Sequence, residues 1–154
     1  MTKAEKEVKK ASDGFYDALN EMFTGDARPM SDVWSHADDV SQMGPFGGIK
    51  RGWDEVRREF EEAAKLTKGG HISPKDLLVR VTGDLAYTVC TEQGENIDKN
   101  DNVYPIDIRA TSIWRKEKGG WKLVHHHTDI SIGLKEGLKE IEITELAERA
   151  RTEI

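Results

Sequence analysis

The sequence contains a single cysteine, Cys90, so no disulfide can form within one chain and no thiolate metal cluster can assemble from it. It has no surplus of positive charge: 23 Lys and Arg stand against 29 Asp and Glu, a net charge of −6. That balance opposes docking on phosphate backbones or anionic lipid, so neither nucleic acid nor membrane is an expected partner. No stretch approaches the roughly 20 apolar residues of a membrane span, and MTKAEKEVKK lacks the apolar core of a secretion signal. A cytoplasmic protein is expected. Gly47 and Gly48 are not followed by the GK[ST] of a phosphate loop, and neither a Gly-x-Ser-x-Gly elbow nor a cysteine-nucleophile arrangement is present.

What is present suits one domain. The 154 residues are enough for a single core, and although 34% are charged, four Trp and four Phe supply large anchors for it. Thr2 and Glu5 have capping-box spacing, and Val8, Ala11, Phe15, Leu19 and Met22 recur at helical intervals, which predicts a helix over residues 3–23. A short helical turn around Trp34 leads to a strand at 40–43, the GPFGG turn and a return strand at 49–51. Trp53, Val56, Phe60 and Ala63 or Ala64 predict a second long helix, with Lys68-Gly69-Gly70 at its end.

Beyond that point the period becomes two. Residues 77–82, 85–93, 103–114 and 121–132 read as strands joined by connections too short for parallel crossovers, hence as an antiparallel meander. The fold class expected is α+β: a curved antiparallel sheet with helices on its concave face, and a C-terminal amphipathic helix carrying Leu138, Ile141, Leu146 and Ala150. Alternation in 103–114 places Tyr104, Ile106, Ile108, Ala110, Ser112 and Trp114 toward the helices. The same test predicts that Leu85, Tyr87, Val89 and Thr91 point inward, as do Leu77, Val79 and Val81. In the last strand Val124, Ile130 and Ile132 carry His126 and Thr128 inward, although Trp121 and Leu123 oppose that parity.

The segments VWSHADDVSQMGPFGGIKRGWDEV and SIWRKEKGGWKLVHHHTDIS together resemble the SnoaL-like branch of the nuclear transport factor 2 and ketosteroid isomerase superfamily. The resemblance spans roughly residues 5–132. It implies domain limits of 1–132 for the SnoaL-like part and 133–154 for a helical extension. It further implies a cone-shaped pocket between sheet and helices, and often a dimer through the outer face of the sheet. It does not by itself imply catalysis. The isomerase base position falls on Gly44 and the isomerase helix tyrosine on Phe15, with Tyr16 adjacent, so that mechanism lacks parts here. The association domain of calcium/calmodulin-dependent protein kinase is a second relative, but its pocket arginines correspond to Val89, Ser112 and Thr128, which gives no support to an anionic ligand.

His125, His127 and Asp129 share one strand face with neighbours about 6.6 Å apart, a spacing open to zinc or to a polar subunit contact shared with Arg109 and Glu92. The set offers three ligands in a row and no evident fourth, so no metal is expected. His126, facing the other way, is the candidate catalytic residue for proton transfer, against the alternative of a satisfied core histidine. Trp34, Met43, Trp53, Tyr87, Ser112 and Thr128 join it as candidate ligand-binding residues, and the large ones would serve equally as core. Asp38 and Asp39 read as turn residues. The expected function is binding of a small, largely apolar organic molecule by a homodimer that needs no cofactor, with proton transfer by His126. The alternative is a non-catalytic assembly module with a vestigial pocket.

Overall fold

The computed structural model describes residues 1–129 and 147–152. Helix α1 (Lys3–Phe23) starts where Thr2 accepts a hydrogen bond from the Glu5 amide at 3.1 Å, and it buries Val8, Phe15, Tyr16, Leu19 and Met22 along one stripe. A short helix α2 (Met30–Val33) leads through Trp34 to strands β1 (Ser41–Met43) and β2 (Lys50–Arg51). Helix α3 (Trp53–Leu66) follows, burying Val56, Phe60 and Ala64. Four long strands complete the described fold: β3 (Thr67–Thr82), β4 (Leu85–Asp98), β5 (Val103–Glu117) and β6 (Gly120–Thr128).

The six strands form one sheet in the order β2-β1-β6-β5-β4-β3, with α1 and α3 over one face. The meander β3 to β6 is antiparallel as expected, but β1 lies parallel to β6, so the sheet is mixed. Lys68, Gly69 and Gly70 do not cap α3. The chain turns extended at Thr67 and they open β3. The C-terminal helix expected over 133–154 falls mainly on residues outside the described set, where 147–152 are helical and exposed.

Two glycines let the β3–β4 ribbon bend closely. A Cβ on Gly94 would collide with the carbonyl oxygen of His71, and one on Gly70 with that of Glu95. Near this bend the side chain of Asn20 on α1 donates to the Ile72 carbonyl at 3.0 Å and accepts from the Ile72 amide at 2.8 Å, tying the helix to the sheet backbone. In β6 the pairing with β5 shifts between Ile113 and Trp114, so Val124 is an extra residue, a bulge. Trp121 and Leu123 before it and His126 and Thr128 after it all face the helices. The conflicting parities of that strand are thereby both satisfied.

The inward face predicted for β4 is reversed. Ala86, Thr88 and Glu92 are buried, while Leu85 and Tyr87 are 53% and 46% exposed. Pairing decides it: Ala86 lies opposite Trp114 and Thr88 opposite Ser112, so the β4 residues sharing the inner face of β5 are the even ones. Trp114 then donates its indole N–H to Thr88 Oγ1 at 3.1 Å, a contact that needs the small residue.

Gly94→Ala should destabilise the fold by more than about 3 kcal/mol, because backbone would have to move away from the new methyl group. Gly83→Ala, at a positive φ but with open space around it, should cost only about 1 kcal/mol. Urea denaturation of the two variants beside wild type checks the order, and equal losses would contradict it.

Candidate functional site

The inner face is polar in its middle because each central strand contributes one hydrogen-bonding side chain in register. Gln42 of β1 lies beside His126 of β6, His126 opposite Ser112 of β5, and Ser112 opposite Thr88 of β4. Small residues, Ala110 and Cys90, occupy the next inward row with Thr128, which leaves space above them. Longer side chains fill it. Glu92 reaches back along β4, His126 leans toward it, and Tyr16 comes down from α1.

The result is a continuous buried chain. The hydroxyl of Tyr16 donates to Glu92 Oε2 at 2.8 Å, His126 Nε2 lies 3.2 Å from the same oxygen, and His126 Nδ1 lies 2.8 Å from Ser112 Oγ. Glu92 and His126 are each only 2% exposed. Phe15 packs edge-on against the imidazole at 4.8 Å between centroids, so α1 supplies both an apolar wall and a donor. The Tyr16 hydroxyl also lies 3.2 Å from Cys90 Sγ. Burial, with the Glu92 and Cys90 charges nearby, pushes the Tyr16 phenol well above its ordinary range, so it stays protonated and can donate to Glu92. Burial likewise pushes the Cys90 thiol up to about 11, against the opposing pull of its Tyr16 hydrogen bond. With Nε2 turned to Glu92, the imidazole can pass a proton between that carboxylate and the Ser112 hydroxyl.

Three buried polar atoms on this side of the sheet have no partner among the described residues: Thr128 Oγ1, Gln42 Oε1 and Trp34 Nε1. Native interiors rarely leave such atoms unsatisfied, which makes them markers for an occupant.

Of the residues singled out from the sequence, Ser112, His126 and Thr128 share this inner face. Trp34 is buried nearer the Leu123 end and packs on Phe60 at 5.9 Å. Tyr87 belongs to the outer face, for the pairing reason given above. Met43 is in register with His127, so it too faces away, and Gln42 is the β1 residue that the inner face receives. Trp53 is stacked on His36 at 4.7 Å and lines a separate groove of about 770 Å³ between the 25–28 loop, α2 and α3. Glu92 lies inward rather than on the outer face. Tyr16 and Glu92 had no sequence signal of their own. A buried acid in β4 becomes legible only once the parity of that strand is fixed by Trp114.

His125, His127, Asp129 and Arg109 occupy the outer face. His125 Nδ1 lies 2.7 Å from Ser41 Oγ, and burial lowers the proton affinity of that imidazole, with the neighbouring His127 and His126 adding to the effect. Arg109 pairs closely with Asp129 and holds its carboxyl below the usual range. Among the described residues no three His, Cys, Asp or Glu side chains converge as metal ligands do. A groove of about 500 Å³ runs past Arg109, His127 and Asp129 on this face.

With this geometry in place, comparison with known proteins is informative. The model of the SnoaL-like domain matches residues 8–133. The chain belongs to the SnoaL-like domain family. Among solved structures, this SnoaL-like chain is similar to a candidate dehydratase of the nuclear transport factor 2-like family from Streptomyces avermitilis. That match has 27% identity, covers 84% of this chain and 97% of that one, and has a TM-score of 0.72. A nuclear transport factor 2-like superfamily protein from Salmonella enterica shares the fold at 16% identity, with coverage of 82% and 89% and a TM-score of 0.74. The calcium/calmodulin-dependent protein kinase II hub of S. rosetta does so at 20% identity, with coverage of 84% and 98% and a TM-score of 0.65. No curated protein matches the chain. None of its described helices is long and apolar enough to cross a membrane.

Two outcomes follow from the buried chain. His126→Leu should cost about 2 to 4 kcal/mol, because Glu92 and Ser112 each lose a buried partner, whereas His127→Leu on the exposed face should stay within about 0.5 kcal/mol. Chemical denaturation compares them, and equal costs would mean the pair carries no energy. Cys90 at pH 8 should react with a disulfide reagent about a hundredfold more slowly than an unhindered thiol, since a raised pKa leaves less thiolate. A stopped-flow rate near that of free cysteine would refute it.

Proposed function

We propose that this SnoaL-like domain binds a small, neutral organic molecule against the inner face of the sheet and moves a proton on it, with no cofactor. The observation that carries the reading is the buried chain Ser112–His126–Glu92–Tyr16 beside two unpartnered polar atoms, Thr128 Oγ1 and Gln42 Oε1. Burying a carboxyl and an imidazole costs several kcal/mol that an apolar filling would not, and such pairs are a recurring feature of acid–base sites. His126 is the proposed proton carrier. Ser112 and Thr128 face the ligand, and Phe15 and Trp34 supply apolar wall. The likeness to a candidate dehydratase supports this class of chemistry, because loss of water needs only removal of one proton and protonation of a leaving hydroxyl.

The probe for this reading is 2-naphthol, which joins an apolar body to one hydroxyl, with naphthalene as the control. Fluorescence titration should show 2-naphthol binding that weakens about tenfold in Thr128→Val, the scale of one buried hydrogen bond. Naphthalene binding should be unchanged by the same substitution. Absence of 2-naphthol binding to the wild-type protein would remove the reading.

A second reading, assembly, is favoured by the outer face, where Leu85, Tyr87 and Ile113 are exposed next to His125 and His127. Contiguous apolar groups rimmed by polar ones suit a self-complementary twofold contact. Light scattering at tens of micromolar should give the mass of a homodimer, reduced toward monomer by Tyr87→Lys. A monomeric wild-type protein would reject it.

A further inference from the structure

The inner face continues past His126 to a position that the network leaves open. Gln42 is beside His126, and the pairing of β1 with β6 ends at Met43 opposite His127, immediately before Gly44. Gly44 has no side chain. A Cβ built there would lie 3.1 Å from Gln42 Nε2 and 3.4 Å from Glu59 Oε1. The carboxyl of Glu59, reaching from α3, therefore lies near the Gln42 side chain, where residue 44 presents no side chain of its own. The loop that follows opens to solvent, with Phe46 79% exposed, so this is the accessible end of the site.

Glu59 differs from Glu92 in its company. No hydrogen bond to its carboxyl is found among the described residues. Half-burial raises its proton affinity, and Lys50, the charged group that acts on it, opposes the rise. The Gln42 side chain carries one unpartnered atom, and Thr128, two residues beyond His126 on β6, carries another; both residues are more than nine-tenths buried. A carboxyl that is neither paired among the described residues nor fully solvated, near an acceptor that lacks a partner there, is an arrangement completed by a ligand.

We propose that Glu59 is the general base of this site, taking a proton from a neutral carbonyl or hydroxyl compound held by Thr128 and Gln42 beside His126. The hydroxyl of Thr128 donates to an oxygen of that ligand, and Gln42 Oε1 accepts from its O–H or N–H. The proposal rests on the small-molecule reading above and adds the group that starts the chemistry. His126 then serves on the far side of the ligand, returning a proton by way of Ser112.

The probe is 5-nitrobenzisoxazole, whose ring opening needs a base and nothing else. The base removes the proton on carbon 3, those electrons complete the nitrile, the N–O bond breaks, and the phenolate oxygen leaves with the electron pair. Wild-type protein should open the ring faster than acetate at equal carboxylate concentration. Glu59→Gln should lose at least about tenfold of that rate, and Glu59→Asp should retain part of it, with thermal melts unchanged. A wild-type rate no greater than acetate, an unaltered rate in Glu59→Gln, or loss of rate only in Glu92→Gln would each overturn the assignment. In any of those cases, 2-naphthol binding sensitive to Thr128→Val would leave the pocket reading standing, so the two failures are distinguishable.

Discussion

The bulge at Val124 is the constraint on which the inner face depends. Without it, a strand that buries Trp121 and Leu123 would send His126 and Thr128 to the outer surface, because side chains alternate strictly along a regular strand. One extra residue lets the first half of β6 pack Leu123 beside Trp114 while the second half brings His126 beneath α1. The apolar end of the core and the polar middle are then built by the same strand. The parallel pairing of β1 inherits this phase: since Gln42 is in register with His126, it turns inward and Met43 outward.

The polar middle is satisfied through three different elements. Glu92 takes donors from α1 and β6, while Ser112 on β5 completes the far side of the imidazole. A buried carboxyl with a single partner would be vulnerable to any shift of the helix. With two, it holds helix and sheet in one relative position, and low local polarity makes each contact stronger than it would be in water. Asn20, one turn further along α1, does the equivalent task by pairing with the backbone of Ile72. The helix is thus held by polar contacts on two successive turns, and its apolar stripe packs on either side of them.

The legibility of the sequence follows from where large apolar residues were forced to go. Helix α1 was readable to the residue because Thr2 caps it and its buried stripe is regular. The inner face of β5 was readable from Ile108 to Trp114, which are buried on it, but not at Tyr104, which lies 53% exposed at the start of the strand beyond the cover of the helices. Strand β4 misled for a physical reason: its inner positions lie beneath Trp114 and the His126–Glu92 pair, so they hold Ala86, Thr88 and Cys90, while Leu85 and Tyr87 face outward. Alternation sorts residues by size and polarity, and here the smaller, more polar set is the inner one. That error carried Glu92 to the wrong face and hid the partner of His126. Tyr16 was overlooked because adjacent helix residues are separated by about 100°, yet both Phe15 and Tyr16 are buried, one against the imidazole and the other against the carboxyl.

The two carboxyls of the inner face illustrate how position rather than residue type assigns a role. Glu92 sits where three elements converge, and its oxygen is claimed by Tyr16 and lies within reach of His126, so its geometry is fixed before any ligand arrives. Glu59 sits on a helix flank beside a glycine, half-buried and with no hydrogen bond to its carboxyl among the described residues. A fixed carboxyl orients a neighbouring imidazole and keeps its tautomer, whereas a free one can approach a substrate and accept its proton. Pre-organisation on one side and freedom on the other is the division of labour that acid–base chemistry requires of two like groups in one small site. In the proposed site that difference follows from sequence context: Glu92 has Ala110 and Cys90 beside it, which make room for partners, and Glu59 has Gly44, which provides none.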